Sequence, residues 1–247
     1  MGDEIMEADY AVVVVTYNRL ELLKECLEQV ENQTIPAKKV IVVNNASTDG
    51  TEQYLRDYKE KNVRYRMIAC AENLGGAGGF EKGIELAAAE RVDCILMIDD
   101  DAVLENDYME KIMRARLEHP DFQAFAGTVL TAGRIDTFHR RNISRPGLRL
   151  KNCPENCYTG QPGGQPFACD IASFCGMVVD RALVRKAGLP CSEYFIWFDD
   201  TEYSMRINRY TRFLVIPDAK LNHKTVADRS RHPHRRYDWR EYYGIRN

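Results

Sequence analysis

Runs of β-branched and aliphatic residues alternate with amphipathic segments through the first half of this chain, and few architectures accept that pattern. AVVVVT (Ala11–Thr16), KKVIVVNN (Lys38–Asn45), VRYRMIAC (Val63–Cys70) and DCILMIDD (Asp93–Asp100) each read as a strand covered on both sides, because such a strand is apolar throughout rather than alternating. Between them, RLELLKECLEQVENQ (Arg19–Gln33) sets Leu20, Leu23, Leu27 and Val30 on one helical face, with Asn18 as the expected N-cap. TEQYLRDYKEK, FEKGIELAAAER and NDYMEKIMRARLEHP predict three more helices, the last ended by its proline. Strand and helix in strict alternation imply an α/β fold, a mostly parallel, doubly wound sheet flanked by helices.

Beyond FQAFAGTVL (Phe122–Leu130) the regularity fails. Residues Thr131–Ala168 read as loops with a short hairpin. IASFCGMVV (Ile171–Val179) predicts a strand, RALVRKAGLP a short helix, EYFIWFDDTEYSMRINRY an aromatic run into an acidic helix start, and RFLVIP a last strand. With no repeat and no linker, we expect one domain: a nucleotide-binding half over 10–130, an acceptor and catalytic half over 131–225, and a tail over 226–247. A chain of 247 residues suffices for one large core. Its net charge of −3 gives no electrostatic case for nucleic-acid binding. The eight cysteines are scattered and read as reduced, intracellular thiols. Cys153 and Cys157 have no second pair at zinc-ribbon spacing. MGDEIMEAD is acidic and unlike a signal peptide, and no apolar run approaches the about 20 residues that span a bilayer. A soluble, cytoplasmic chain is expected.

Ligands of open α/β sheets sit beyond the carboxyl ends of the strands. The polar clusters fall there: Thr16–Asn18, Asn44–Asp49, Asn73–Gly79 and Asp99–Asp101. The triplet could be a turn facing water. At the end of a buried strand, however, alternation lets Asp99 and Asp101 point one way and Asp100 another, and two converging carboxylates suit a hard divalent cation such as Mg²⁺ or Mn²⁺. NLGGAGGF fits neither the dinucleotide nor the P-loop pattern. Its glycines permit close backbone approach to a ligand, with helix-start amides for anionic oxygens, or simply make a turn. In FDDTE (Phe198–Glu202), Asp199 and Glu202 have capping-box spacing. Asp199 or Asp200 at a helix N-terminus would also stay ionised, as a base should. Trp197 is either a sugar-stacking platform or core. His223 is either structural or a third metal ligand.

VVVVTYNR, VNNASTDGT, NLGGAGGFEKG, MIDDDAV, FIWFDDTEYSMR and LNHKT, in that order, resemble the inverting family 2 glycosyltransferases of GT-A fold, and most of all their galactofuranosyltransferase and rhamnosyltransferase branch. The resemblance implies metal-dependent transfer from a nucleotide-diphosphate sugar (UDP or dTDP) to a glycan or lipid-linked acceptor. Asp99, Asp101 and His223 then hold Mn²⁺ or Mg²⁺, and Asp200 is the base with Asp199 its neighbour. The nucleotide-sugar is expected at Thr16, Tyr17, Asn18, Asn44, Asn45, Asp49, Asn73, Gly75, Gly76, Gly78, Gly79, Asp100 and Trp197. Many members carry Asp within the pair that is Asn44–Asn45 here; an amide still reaches a pyrimidine edge. A nucleotidyltransferase, whose glycine loop would follow the first strand, and a protein that binds without turnover are the rival readings. The tail sets Arg229, Arg231, Arg235, Arg236, Arg240 and Arg246 among Tyr237, Trp239, Tyr242 and Tyr243. Such a face suits peripheral contact with anionic lipid at the inner face of the membrane, or a partner. Family members often continue past YYGIRN, so a C-terminal extension is expected as well.

Overall fold

The computed structural model describes residues 9–144, 149–159, 164–224 and 239–247. Four parallel strands, β1 (Tyr10–Thr16), β2 (Lys39–Asn44), β3 (Tyr65–Ala69) and β4 (Cys94–Asp99), lie in the order β3-β2-β1-β4. The sheet continues through β12 (Met177–Asp180), β6 (Ala124–Thr131), β13 (Phe213–His223) and β10 (Phe167–Cys169). Only β12 and β10 run against the parallel direction along this path. Successive residues of β1 serve opposite layers. Tyr10, Val12 and Val14 pack with Leu23, Leu27 and Val30 of α1 (Leu20–Glu31) and with Tyr108 and Ile112 of α4 (Tyr108–Glu118). Ala11, Val13 and Val15 pack with Phe80 and Ile84 of α3 (Gly75–Ala89) and with Tyr203 and Ile207 of α7 (Asp199–Ile207). Burial on both faces is what the unbroken aliphatic runs demand.

Several local expectations are corrected. Asn18 does not cap α1: it takes a left-handed φ of 52° and accepts from the Thr48 amide at 2.7 Å, while the Leu20 amide donates to Asp49 of the next loop at 2.9 Å. The segment Ile171–Val179 is not one strand but β11 (Ile171–Ala172) and β12, parted by a turn whose Cys175 carbonyl accepts from buried Arg140. The last strand runs on to His223, with its register shifting between Ile216 and Lys220. By contrast, the short hairpin expected within Thr131–Ala168 is there as the antiparallel pair β8 (Arg140–Ser144) and β9 (Arg149–Asn152), and β11 adds a third strand to make a second sheet.

Candidate active site

Strand order reverses across β1, which has β2 on one side and β4 on the other, and such switch points open a crevice at the carboxyl edge. Val15 is paired with Asp99, so Thr16 stands beside Asp100 and donates to its Oδ2 at 2.7 Å. Arg19 Nη1 bridges Asp100 Oδ1 at 3.2 Å and Asp101 Oδ2 at 2.8 Å. The repulsion within the triplet is therefore offset in part by a guanidinium of the chain itself. The residues after the triplet form β5 (Ala102–Leu104), which pairs antiparallel with the end of β13 and sets His223 opposite Ala102. His223 Nε2 thereby comes 3.4 Å from Asp101 Oδ1. Donor atoms of Asp99, His223 and Cys175, the last unremarked in the sequence, lie within 4.8 Å of one another.

Charge is unevenly settled here. Burial, with Asp101 alongside, pushes Asp99 up to about 7, and burial pushes Asp100 up to about 6 against the pull of Arg19. Burial also works against charge on Asp101 and His223, yet each holds the other ionised, with Asp101 below its usual value and His223 above. Asp101 Oδ1 is buried without a hydrogen-bond partner. An orphaned carboxylate oxygen facing an imidazole, next to an under-compensated aspartate, fits a divalent cation.

Beyond the ends of β1, β2 and β3 the polar loops are tied to one another. Asn45 Nδ2 donates to Asn73 Oδ1 at 3.0 Å and to the Gly75 carbonyl at 2.8 Å, and its Oδ1 accepts from the Leu74 amide. Both functions of that amide are thus engaged, which makes Asn45 a brace. Asn44 Oδ1 accepts from the Ser47 amide, and both oxygens of Asp49 are taken by Leu20 and Thr51. Tyr17, at 43% exposure, stands open. The glycine-rich run is corrected most. It is no loop before a helix but the first turns of α3. A Cβ on Gly79 would meet Val15 Cγ1 at 2.5 Å, and one on Gly83 would meet Val13 Cγ1 at 2.4 Å. Those glycines seat the helix on β1. Gly75 has φ of 71°, and a Cβ there would fall 2.0 Å from the Phe195 carbonyl oxygen, which also accepts from the Ala77 amide at 3.1 Å. Gly76 borders open space; Gly78 lies against Leu74.

The segment Phe195–Phe198 reaches α7 through three left-handed residues, Phe195, Trp197 and Phe198, with φ of 62°, 65° and 66°. Such conformations cost of order 1–3 kcal/mol each and cluster at functional sites. Asn247 helps hold this one, its Nδ2 donating to the carbonyls of Tyr194, Ile196 and Trp197 at 2.9 to 3.1 Å. A Cβ on Gly244 of α8 (Trp239–Arg246) would fall 3.0 Å from the ring of Trp197, which is 45% exposed. The described end of the tail therefore covers this loop. Its other arginines and aromatics, from Arg229 to Tyr237, lie outside the described residues. No helix among the described residues is long and apolar enough to cross a membrane.

Phe198, not Asp199, is the N-cap of α7, and Glu202 pairs with Arg206 at 2.6 Å instead of closing a capping box. Asp199 and Asp200 are left in the first turn for other work. Burial, with Asp200 beside it, pushes Asp199 up to about 8. Burial also raises Asp200, while Arg141 and Thr201 draw it back down. Arg141, Thr201 and His139, whose ring meets that of His223 at 5.1 Å, were missed in the sequence. Nothing in HRR or DDT announces that strand β8 and helix α7 meet.

The strand-switch crevice thus carries paired carboxylates, a histidine and an acidic helix start. The family model for glycosyl transferase family 2 matches residues 11–181. The chain belongs to that family. The dTDP-rhamnosyl transferase RfbF of Shigella flexneri is 25% identical over 231 residues, covering 91% of this chain and 72% of that one. The chain spans less of other relatives, 31% of the putative glycosyltransferase EpsH of Bacillus subtilis at 32% identity over 45% of this chain. Among solved structures, S. aureus TarS 1-349 in complex with UDP superposes with a TM-score of 0.65 at 16% identity, covering 87% of this chain and 60% of that one. GalNAc-T7 with UDP, GalNAc and Mn²⁺ gives 0.71 at 14% identity, covering 88% and 44%. The architecture is that of the GT-A glycosyltransferases.

Proposed function

We propose that this chain transfers a sugar, with inversion, from a nucleotide-diphosphate donor of the UDP-galactofuranose or dTDP-rhamnose type to a hydroxyl of a cell-surface glycan or lipid-linked acceptor. The observation that carries the reading is the meeting of Asp99 with His223, beside Cys175, and the approach of Asp101 to the same imidazole, with Asp199 close enough to feel the charge of Asp99. Similarity to a dTDP-rhamnosyl transferase supports the donor class. Similarity of fold to proteins solved with UDP supports a pyrimidine nucleotide. The nucleotide-binding half is read as 10–130 and the acceptor half as 131–225.

Asp99, Asp101 and His223 would hold Mn²⁺ or Mg²⁺, which supplies positive charge against the departing diphosphate. Asp100, fixed by Thr16 and Arg19, shapes the donor side. Trp197 offers a ring face to the sugar. Asp200 takes the proton of the acceptor hydroxyl, whose oxygen forms the new bond to the anomeric carbon as the bond to the diphosphate oxygen breaks on the opposite face. One base and one displacement give inversion. Release of nucleotide diphosphate from UDP-galactofuranose, UDP-galactose, UDP-glucose and dTDP-rhamnose, each with Mn²⁺ or EDTA, tests the donor. Asp200→Asn should lower turnover at least about a hundredfold while leaving donor binding nearly intact; unchanged turnover would remove Asp200 from the role. Metal-dependent nucleotide binding with no release from any donor, whatever acceptor is supplied, would favour a binding protein.

A further inference from the structure

Arg141 is 8% exposed, its Nε is buried without a partner, and it forms no salt bridge among the described residues. A buried guanidinium lacking a carboxylate is costly to keep. Its Nη2 donates to Thr201 Oγ1 at 2.9 Å, and Thr201 Oγ1 donates to Asp200 Oδ1 at 3.0 Å. A hydroxyl has a single proton, and a guanidinium can only donate. Accepting from Arg141 leaves the Thr201 proton for Asp200, so the sense of the chain is fixed. The guanidinium is itself held over the Phe138 ring, 4.9 Å from its centre.

We propose that Arg141 and Thr201 are positioning residues for Asp200, committing its Oδ1 to the Thr201 proton and leaving Oδ2 to receive the proton of an incoming hydroxyl. The inference rests on the reading of Asp200 as the base. A base whose second oxygen is already bonded cannot rotate freely, and a hydroxyl aimed at it favours its ionised form. The charges near Asp200 are Arg141 and Arg140 from β8 and Asp199 from its own helix. Burial raises Asp200, and the two cations oppose that rise. Arg140 is fully buried, and its guanidinium donates to the carbonyls of Gly127, His139 and Cys175, so its charge too is spent on no carboxylate of the described residues.

The test reads Asp200 directly. In protein carrying ¹³Cγ-labelled aspartate, the resonance missing from Asp200→Asn is followed through a pH titration in the wild type, Thr201→Val and Arg141→Met. Hydrogen bonds to charged groups are worth about 1.5–3 kcal/mol, so each variant should titrate about one pH unit or more above the wild type. Thr201→Val keeps the side chain's shape should Arg141→Met fail to fold. A mere brace between β8 and α7 would lower the melting temperature and leave the titration in place, and agreement of the wild type and Thr201→Val within about 0.3 pH unit overturns the proposal. The acid limb of the pH profile of kcat/KM should move with the titration, the donor KM staying level. If Asp200→Asn retains turnover, the base reading falls; the titration still decides, separately, whether Arg141 and Thr201 govern the Asp200 proton.

Discussion

Asp199 sits in the first turn of α7, where the helix dipole favours a carboxylate, yet burial and the adjacent Asp200 push it up to about 8. In the unfolded chain the same group titrates near the usual aspartate value of about 3.9. A folded pKa above the unfolded one means that the native state holds the proton more tightly. That contribution to stability is fully present below pH about 3.9 and is lost as pH rises through about 8. Asp199→Asn removes the titration. In denaturant unfolding of the metal-free protein, wild type and variant should differ least near pH 4, and the variant should gain on the wild type up to pH about 8, where the difference levels off. A difference independent of pH would show that Asp199 already carries its charge in the folded state. His139 has the opposite sign: burial and Arg140 depress it to about 3, so its neutral ring favours the native state at neutral pH and that benefit fades as pH falls below about 6.5.

At the scale of elements, α3 shows how one residue type serves unlike ends. Gly76 faces open space, so Gly76→Ala gains helix propensity, up to about 1 kcal/mol, at no steric cost. Gly83→Ala gains the same propensity but drives a methyl into Val13 and Val43, and overpacking of this kind costs about 1–3 kcal/mol. Thermal unfolding should find the first variant at or above the wild type and the second below it; equal effects would mean that α3 shifts easily on the sheet. The run of glycines was legible in the sequence as a demand for closeness, but not as to what comes close, because composition alone cannot separate a ligand from a strand. The four parallel strands were legible because β1 is buried throughout, and β2 and β4 at every residue but one, and the chain has to write that down residue by residue. The convergence of polar clusters at the strand ends followed from topology. Arg19 was visible as the last letter of TYNR but not as a counter-charge, and the Arg141–Thr201 pair was not legible at all, since its members come from different elements. The break between β11 and β12 escaped for a similar reason, since the guanidinium that holds its turn comes from β8.

The whole molecule joins a crevice at the carboxyl edge of the parallel strands to a second small sheet and an acidic helix, and ligand binding should be felt throughout it. At about a hundredfold excess over its dissociation constant, a ligand specific to the native state adds about 2.7 kcal/mol, or about 5–10 °C in melting temperature for a chain of this size. UDP or dTDP with Mn²⁺ should produce a rise of that order, with EDTA, Asp101→Ala or His223→Ala removing most of it. An equal rise in EDTA would take the cation out of nucleotide binding. Gly75 carries a consequence for anyone recombining members of this family. The space its missing side chain would fill is occupied by the Phe195 carbonyl, which the Ala77 amide also grips. The opening of α3 and the aromatic loop are thus halves of one joint, and a loop transplanted from a relative will seat here only if it brings a carbonyl to the same place or arrives together with its own glycine turn.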